Sequence, residues 1–382
     1  EARRELAQFY PSDSPSPAGG RGAGGEGAIP VGYLWARSLP CQNPACGVEI
    51  PLMRQYWLAK KDNKQIALRP LSAGPGKAVA FEIVARGKKA GGNYHAWPAD
   101  FNPEKGTVAR AVATCPACGA VIDDKTTRRL FREGKSSQRM VAVVLSPLPQ
   151  SGRGAGGEGG KTYRLPAEAD LAACRAAAAA LQAKINALRL EWGMQPVPDE
   201  PLPPRGTLGF RVQGYGIENW GELFNPRQQL ALLTFADAVR RAHAEMLAQG
   251  CAEDFARAVA TYLGMIVDRL ADYDSALCVW AVAGEFVAHT FGRQALPMIW
   301  DYLELYPDSS STGDWNSAMD WVLRVIEHLA TIPPLPHAGE GQGVRVAHAS
   351  ATRPPYPDAC FDAVFTDPPY YDNVPYSYLS DF

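Results

Sequence analysis

Two stretches ending in the same four residues, Pro-Ala-Cys-Gly, restrict the fold of this chain more than any other feature. "CQNPACG" places four residues between Cys41 and Cys46, and "CPACG" places two between Cys115 and Cys118. The glycine after each second cysteine lets the backbone turn its N–H groups toward the sulfurs. Two such knuckles bring four thiolates around one tetrahedral zinc ion. A set of four protein ligands leaves no open position, so the site is structural rather than catalytic. Two separate redox pairs, or a coincidence of spacing, are the alternative. The other cysteines, Cys174, Cys251, Cys278 and Cys360, are scattered and read as small core residues. With no secretory signal, paired thiols point to metal more than to disulfides, and a cytoplasmic, reducing location is expected.

Three Gly/Pro-rich stretches cut the chain into blocks. They are "SPSPAGGRGAGGEG" at 14–27, "SPLPQSGRGAGGEG" at 146–159 and "PPLPHAGEGQG" at 333–343. They cannot bury a core and read as flexible loops. The first two contain G-x-G-x-x-G (Gly20, Gly22, Gly25 and Gly152, Gly154, Gly157), but the motif needs a strand before it and a helix after it. Neither stands here, so no phosphate-binding role is expected. The resulting division is a terminal segment 1–30, a β-rich zinc-ribbon domain 31–145, a linker 146–160, a mainly helical insert 161–332, a loop 333–343 and a final block 344–382.

Within the helical block, Leu171, Cys174, Ala178, Leu181, Ile185 and Leu188 form one apolar stripe. Asn225-Pro226 supplies a helix cap and a first-turn proline, and Gly250 a stop. "NPRQ" (225–228) and "FGRQ" (291–294) put arginines near helix starts, where anions bind; ordinary caps and surface salt bridges are the plainer expectation. Charge is uneven: residues 41–140 hold 17 Lys and Arg against 8 Asp and Glu, in a chain of net charge −2. A basic segment in an acidic chain points to a polyanion or to a solvated face. No apolar run is long enough to cross a bilayer, and no membrane partner is expected.

The closing "TDPPYYDNVPYSYLSDF" is the second site. Residues 361–366, Phe-Asp-Ala-Val-Phe-Thr, read as a buried strand with Asp367 at its carboxyl end, where ligands of open α/β sheets bind. Pro368 and Pro369 fix φ and donate no hydrogen bond, which leaves neighbouring carbonyls free to accept. A carboxylate plus an outward carbonyl suits an amino group, and Tyr370 offers a ring for stacking. A helix-capping Asp in a strand-end turn is the alternative.

"DPPY" after an apolar strand resembles the catalytic motif of amino-methyltransferases. With "GYLWARSLPCQNPACGVEIPL", "CPACGAVIDDKTTRRLFREGKSSQRMVAVV", "GFRVQGYGIENWGELFNPRQQLALLTF" and "HTFGRQALPMIWDY", the chain is similar to a family of adenine-specific DNA methylases containing a zinc ribbon. The resemblance implies an α/β Rossmann-like methyltransferase, present in its C-terminal part only, with the ribbon and helices inserted as a target-recognition region. It implies S-adenosylmethionine as cofactor beside zinc, and DNA as partner. Asp367 and the Pro368 carbonyl would hold a flipped-out amine, Pro369 would set the turn and Tyr370 would stack on the base. Tyr371, Asp372 and Asn373 would line the same pocket. The family's donor-gripping Gly-rich loop is missing from the sequence. It is expected upstream of Glu1, with further strands downstream of Phe382. An RNA guanine-amine methyltransferase and a non-catalytic zinc-ribbon nucleic-acid-binding module are the competing readings.

Overall fold

A computed structural model describes residues 1–11, 28–71, 78–147, 160–331, 349–350, 352–367, 374, 376–380 and 382. The three Gly/Pro-rich stretches fall wholly or almost wholly outside these residues. Helix α1 (Ala2–Leu6) and a 3-10 turn lead to strand β1 (Ala28–Pro40), and β2 (Glu49–Leu52) folds back on its end. Then come β3 (Trp57–Lys61), β4 (Lys64–Leu71), β5 (Ala80–Arg86) and β6 (His95–Ala96). Short strands β7 (Val108–Ala109), β8 (Val112–Thr114) and β9 (Val121–Ile122) precede α2 (Asp124–Arg132) and β10 (Ser137–Pro147). After β11 (Thr162–Arg164) come the long helices α3 (Glu168–Trp192), α4 (Pro226–Ala248) and α5 (Glu253–Tyr273). The chain continues with β12 (Val279–Ala281), β13 (Phe286–Ala288), β14 (Asp301–Leu305), α6 (Trp315–Thr331) and α7 (Tyr376–Ser380).

The main sheet has the order β11-β10-β1-β14, with β2 paired to β1, and all its pairs are antiparallel. A second sheet runs β3-β4-β5-β6, a third β7-β8-β9, and β12-β13 form a hairpin. The hub is β1, buried almost continuously from Pro30 to Leu39, the pattern of a strand covered on both faces. One face meets α4, whose Arg227 guanidinium lies 4.0 Å over the Tyr33 ring. The β3–β6 sheet is tied to β10 and β11 through Arg139 to the Val79 carbonyl (2.9 Å) and Tyr163 to the Leu58 carbonyl (3.0 Å). Gly32 lets β14 approach: a Cβ there would sit 2.4 Å from the Glu304 carbonyl oxygen.

Strand pairing crosses the boundary expected between 31–145 and 161–332. β11 lies beside β10 and β14 beside β1, so the two blocks share one sheet, and the helical block also carries the β12–β13 hairpin. Helix α4 begins as its residues dictate. The Asn225 side chain accepts from the N–H groups of Arg227 and Gln228 (both 3.0 Å), and the Gln228 side chain accepts from Asn225 N–H (2.8 Å). On α3 the buried stripe runs through Ala177 instead of Ala178, which faces solvent; Ala173, Leu181 and Leu188 complete it. "FGRQ" starts no helix and lies in turns.

The expected strand at 361–366 does not form. Phe361, Val364 and Phe365 are 56%, 76% and 95% exposed, and no described strand pairs with them. A strand buries its apolar side chains only when neighbours complete its hydrogen bonds and cover its faces. None of the described sheets does so for this segment. Farther on, Leu379 and Phe382 pack on a small core of Leu202, Phe210, Trp220 and Leu296.

Candidate functional site

The two cysteine knuckles meet. Cys41 follows β1 and Cys46 precedes β2, while Cys115 follows β8 and Cys118 precedes β9. The sulfurs of Cys41 and Cys118 are 3.6 Å apart and those of Cys46 and Cys115 3.8 Å, with all four within 4.8 Å of one another. Sulfurs placed about 2.3 Å from a central tetrahedral ion stand about 3.8 Å apart. The arrangement can therefore hold a metal ion, and Cys41, Cys46 and Cys115 are buried while Cys118 reaches the surface.

Both knuckles close in the same way despite their different lengths. The first cysteine N–H donates to the carbonyl two residues past the second: Cys41 to Val48 and Cys115 to Ala120, each at 2.8 Å. Gly47 and Gly119 stand at φ +60° and +75°, a left-handed turn that other residues resist. The two extra residues of the first knuckle are taken up by Asn43. Its side chain accepts from Ala45 N–H (3.1 Å), and its carbonyl accepts from the N–H groups of Cys46 and Gly47. The Ala120 N–H holds the Cys118 thiol down at about 7, whereas burial pushes the Cys41 thiol up to about 12. One thiol of the set is thus ready to ionise near neutrality, and a bound cation would draw the rest toward thiolate.

Of the closing corner, Asp367 is described and its side chain is exposed. Pro368, Pro369, Tyr370, Tyr371, Asp372 and Asn373 lie outside the described residues. The downstream arm is placed: Tyr378 meets the Phe210 ring edge-on at 6.4 Å, and Phe382 packs against Trp220, Phe224 and Phe291.

The two arginines flagged near helix starts have different fates. Arg227 is not a surface salt bridge: it is 2% exposed, its Nε pairs with the fully buried Glu304, and its Nη1 donates to the Phe9 carbonyl (2.9 Å). Arg293 is exposed in a turn. Sequence reasoning missed a cleft lined by Arg110, Arg128, Arg205 and Arg211 beside Tyr215 and Trp300. Its one signal was the excess of base in 41–140, which supplies Arg110 and Arg128.

No described helix is long and apolar enough to cross a membrane. The chain matches no protein-family profile, no curated protein and no solved structure.

Proposed function

We propose that this chain is the target-holding part of an S-adenosylmethionine-dependent DNA amino-methyltransferase acting on N6 of adenine. The observation that carries the reading is Asp-Pro-Pro-Tyr at 367–370 in one chain with a four-cysteine knuckle pair. In this reading the Asp367 carboxylate and the Pro368 carbonyl each accept one hydrogen bond from the target amine. Pro369 fixes the turn, Tyr370 lies on the base, and Tyr371, Asp372 and Asn373 line the pocket. With both N–H groups engaged, the nitrogen lone pair projects away from the acceptors, the direction a methyl group must come from. A paired base hides its amine, so the base is presented extruded from the duplex.

The ion between the knuckles is zinc in this reading, because an all-sulfur tetrahedral set selects it over hard cations, and its role is structural. S-adenosylmethionine would supply an electrophilic methyl group on sulfur. The described residues do not form its cradle. The strand-to-helix connections at 123, 165–167 and 306–314 carry no glycine-rich turn, so no residue of this chain is assigned to it.

The test is methyl transfer to adenine-containing DNA by the complete protein. Asp367→Ala is expected to lower the rate by about a hundredfold or more, the scale for losing one positioned polar contact. Calorimetric binding of S-adenosylmethionine should stay unchanged. Equal loss of transfer and donor binding would remove the role given to Asp367. Absence of transfer in the unaltered protein would leave the binding-module reading in its place.

A further inference from the structure

At the tip of the β7–β8 hairpin opens a cavity of about 510 Å³, within the size range of small-ligand sites. Four arginines from three separate segments converge on it. Arg110 comes from the β7–β8 hairpin, Arg128 from α2, and Arg205 and Arg211 from the loop before the 3-10 turn at Val212–Tyr215. Among the described residues no acidic side chain lines the cavity. Arg128 and Arg205 are partly neutralised from outside it, by Asp124 (3.6 Å) and Glu218 (2.8 Å). No carboxylate of a described residue pairs with Arg110 or Arg211, so positive charge is left facing the cavity. Its floor is closed by Phe210, Tyr215 and Trp300, which are 2%, 8% and 6% exposed and turn little ring surface to the cavity; Tyr215 and Trp300 meet at right angles with centroids 5.2 Å apart.

The turn that presents Arg110 is a second, independent observation. Ala109 pairs with Val112, so Arg110 and Ala111 form a two-residue hairpin loop, with φ of +49° and +66°. Such loops take Asn-Gly or Asp-Gly, since both central residues must enter the left-handed region. Arg-Ala is a poor choice for the turn, so turn formation does not explain why an arginine stands there. Residues held in unfavourable backbone conformations concentrate where ligands are bound.

We infer that this cleft binds the backbone of an unpaired nucleic-acid strand, its phosphodiesters on Arg110 and Arg211. A positively charged groove that tracks the backbone is the sequence-independent part of single-strand binding. A cavity of this size admits a nucleotide and excludes a double helix. The placement also fits the closing segment, since Phe210 lines the cleft and meets Tyr378 on the arm that follows the Asp-Pro-Pro-Tyr corner. The inference goes beyond the methyl-transfer reading and needs neither donor nor catalysis.

The experiment is fluorescence anisotropy with a labelled single-stranded DNA oligonucleotide and its duplex, across a salt series, in the absence of methyl donor. The double variant Arg110→Asn, Arg211→Ala is expected to bind the single strand at least about tenfold more weakly at low salt. Its log–log salt slope should fall by about 1.4, two phosphate contacts' worth. Arg110→Asn alone should keep or raise the thermal midpoint, because asparagine suits the turn, while weakening binding; a merely structural arginine would not separate the two. Arg257→Ala, on the exposed face of α5, is the control and should leave binding unchanged. An unchanged slope in the double variant, an equal loss in the control, or tighter binding of the duplex would overturn the inference. Asp367→Ala should bind normally. If the protein transfers no methyl group yet loses binding with Arg110 and Arg211, the enzymatic reading falls and the cleft stands.

Discussion

Arg227 shows what a local motif conceals. Its neighbours describe a helix start, and the cap forms as they dictate. Its side chain nevertheless turns inward to Glu304, 77 residues on, beneath Tyr10 and Tyr33. Glu304 also accepts from Trp35 Nε1 (2.6 Å) and Asn225 Nδ2 (3.0 Å), so one carboxylate ties β1, α4 and β14 together. Asp274 is fully buried nearby. Its Oδ1 accepts from Gln228 (3.1 Å) and Leu305 N–H (2.8 Å), while its Oδ2 has no partner among the described residues. Burial first, then the Glu304 charge, hold its carboxyl protonated well above the usual range, against the pull of Arg227. A folded state that keeps this proton longer than the unfolded chain loses stability as pH rises above the ordinary carboxylate pKa. The slope is at most about 1.4 kcal/mol per pH unit, and it ends once pH passes the raised folded value. Asp274→Asn, which keeps the Oδ1 acceptor, should flatten that slope in urea titrations run from pH 4 upward. An unchanged slope would show that Asp274 ionises normally in the fold.

Elements differ in how much of themselves their residues announce. Helix α4 was readable because Asn225, Pro226 and Gly250 act within a few residues of its ends. The knuckles were readable because Gly47 and Gly119 mark left-handed turns beside thiols. The placement of β14 was not readable. Five residues, Asp301–Leu305, pair with a strand about 270 residues earlier in the chain, and nothing local specifies a partner at that distance. The 361–366 run failed for the complementary reason: its apolar residues are those of a strand, but a strand is defined by neighbours it does not have among the described residues. The closest trace of the β1–β14 pairing in the sequence is Gly32, an otherwise unexplained glycine in a 13-residue strand. Gly32→Ala would drive a methyl group against the Glu304 carbonyl and push β14 off the hub. It should destabilise the protein by about 1–3 kcal/mol or more, the range for overpacking, with a lower urea midpoint. A neutral substitution would mean that β14 shifts without loss and that the Glu304 network is adjustable.

At the scale of the molecule, a metal ion bound by the four cysteines would make them a cross-link. It would tie the β1–β2 turn to the β8–β9 turn across 68 intervening residues. By analogy with disulfide loops of that length, such a tie removes about 4 kcal/mol of unfolded-chain entropy. Metal analysis of the purified protein should give about one zinc per chain, released by Cys115→Ser or a strong chelator. The consequences of release should be graded. The centre of β1 is held by long pairings to β10 and β14 and should keep its hydrogen-exchange protection. The Cys41 and Cys115 amides, which close the knuckles, should lose theirs first, followed by the short strands β7 to β9. Because β8 connects Arg110 directly to Cys115, a bound metal would anchor the hairpin that presents Arg110, whereas Arg211 stands on a separate core. Stripping the metal should therefore weaken binding of a single-stranded oligonucleotide and remove about 0.7 from its salt slope, the share of one phosphate contact. Chelation that leaves both protection and salt slope untouched would show that the knuckles stand without an ion and that the cleft does not depend on them.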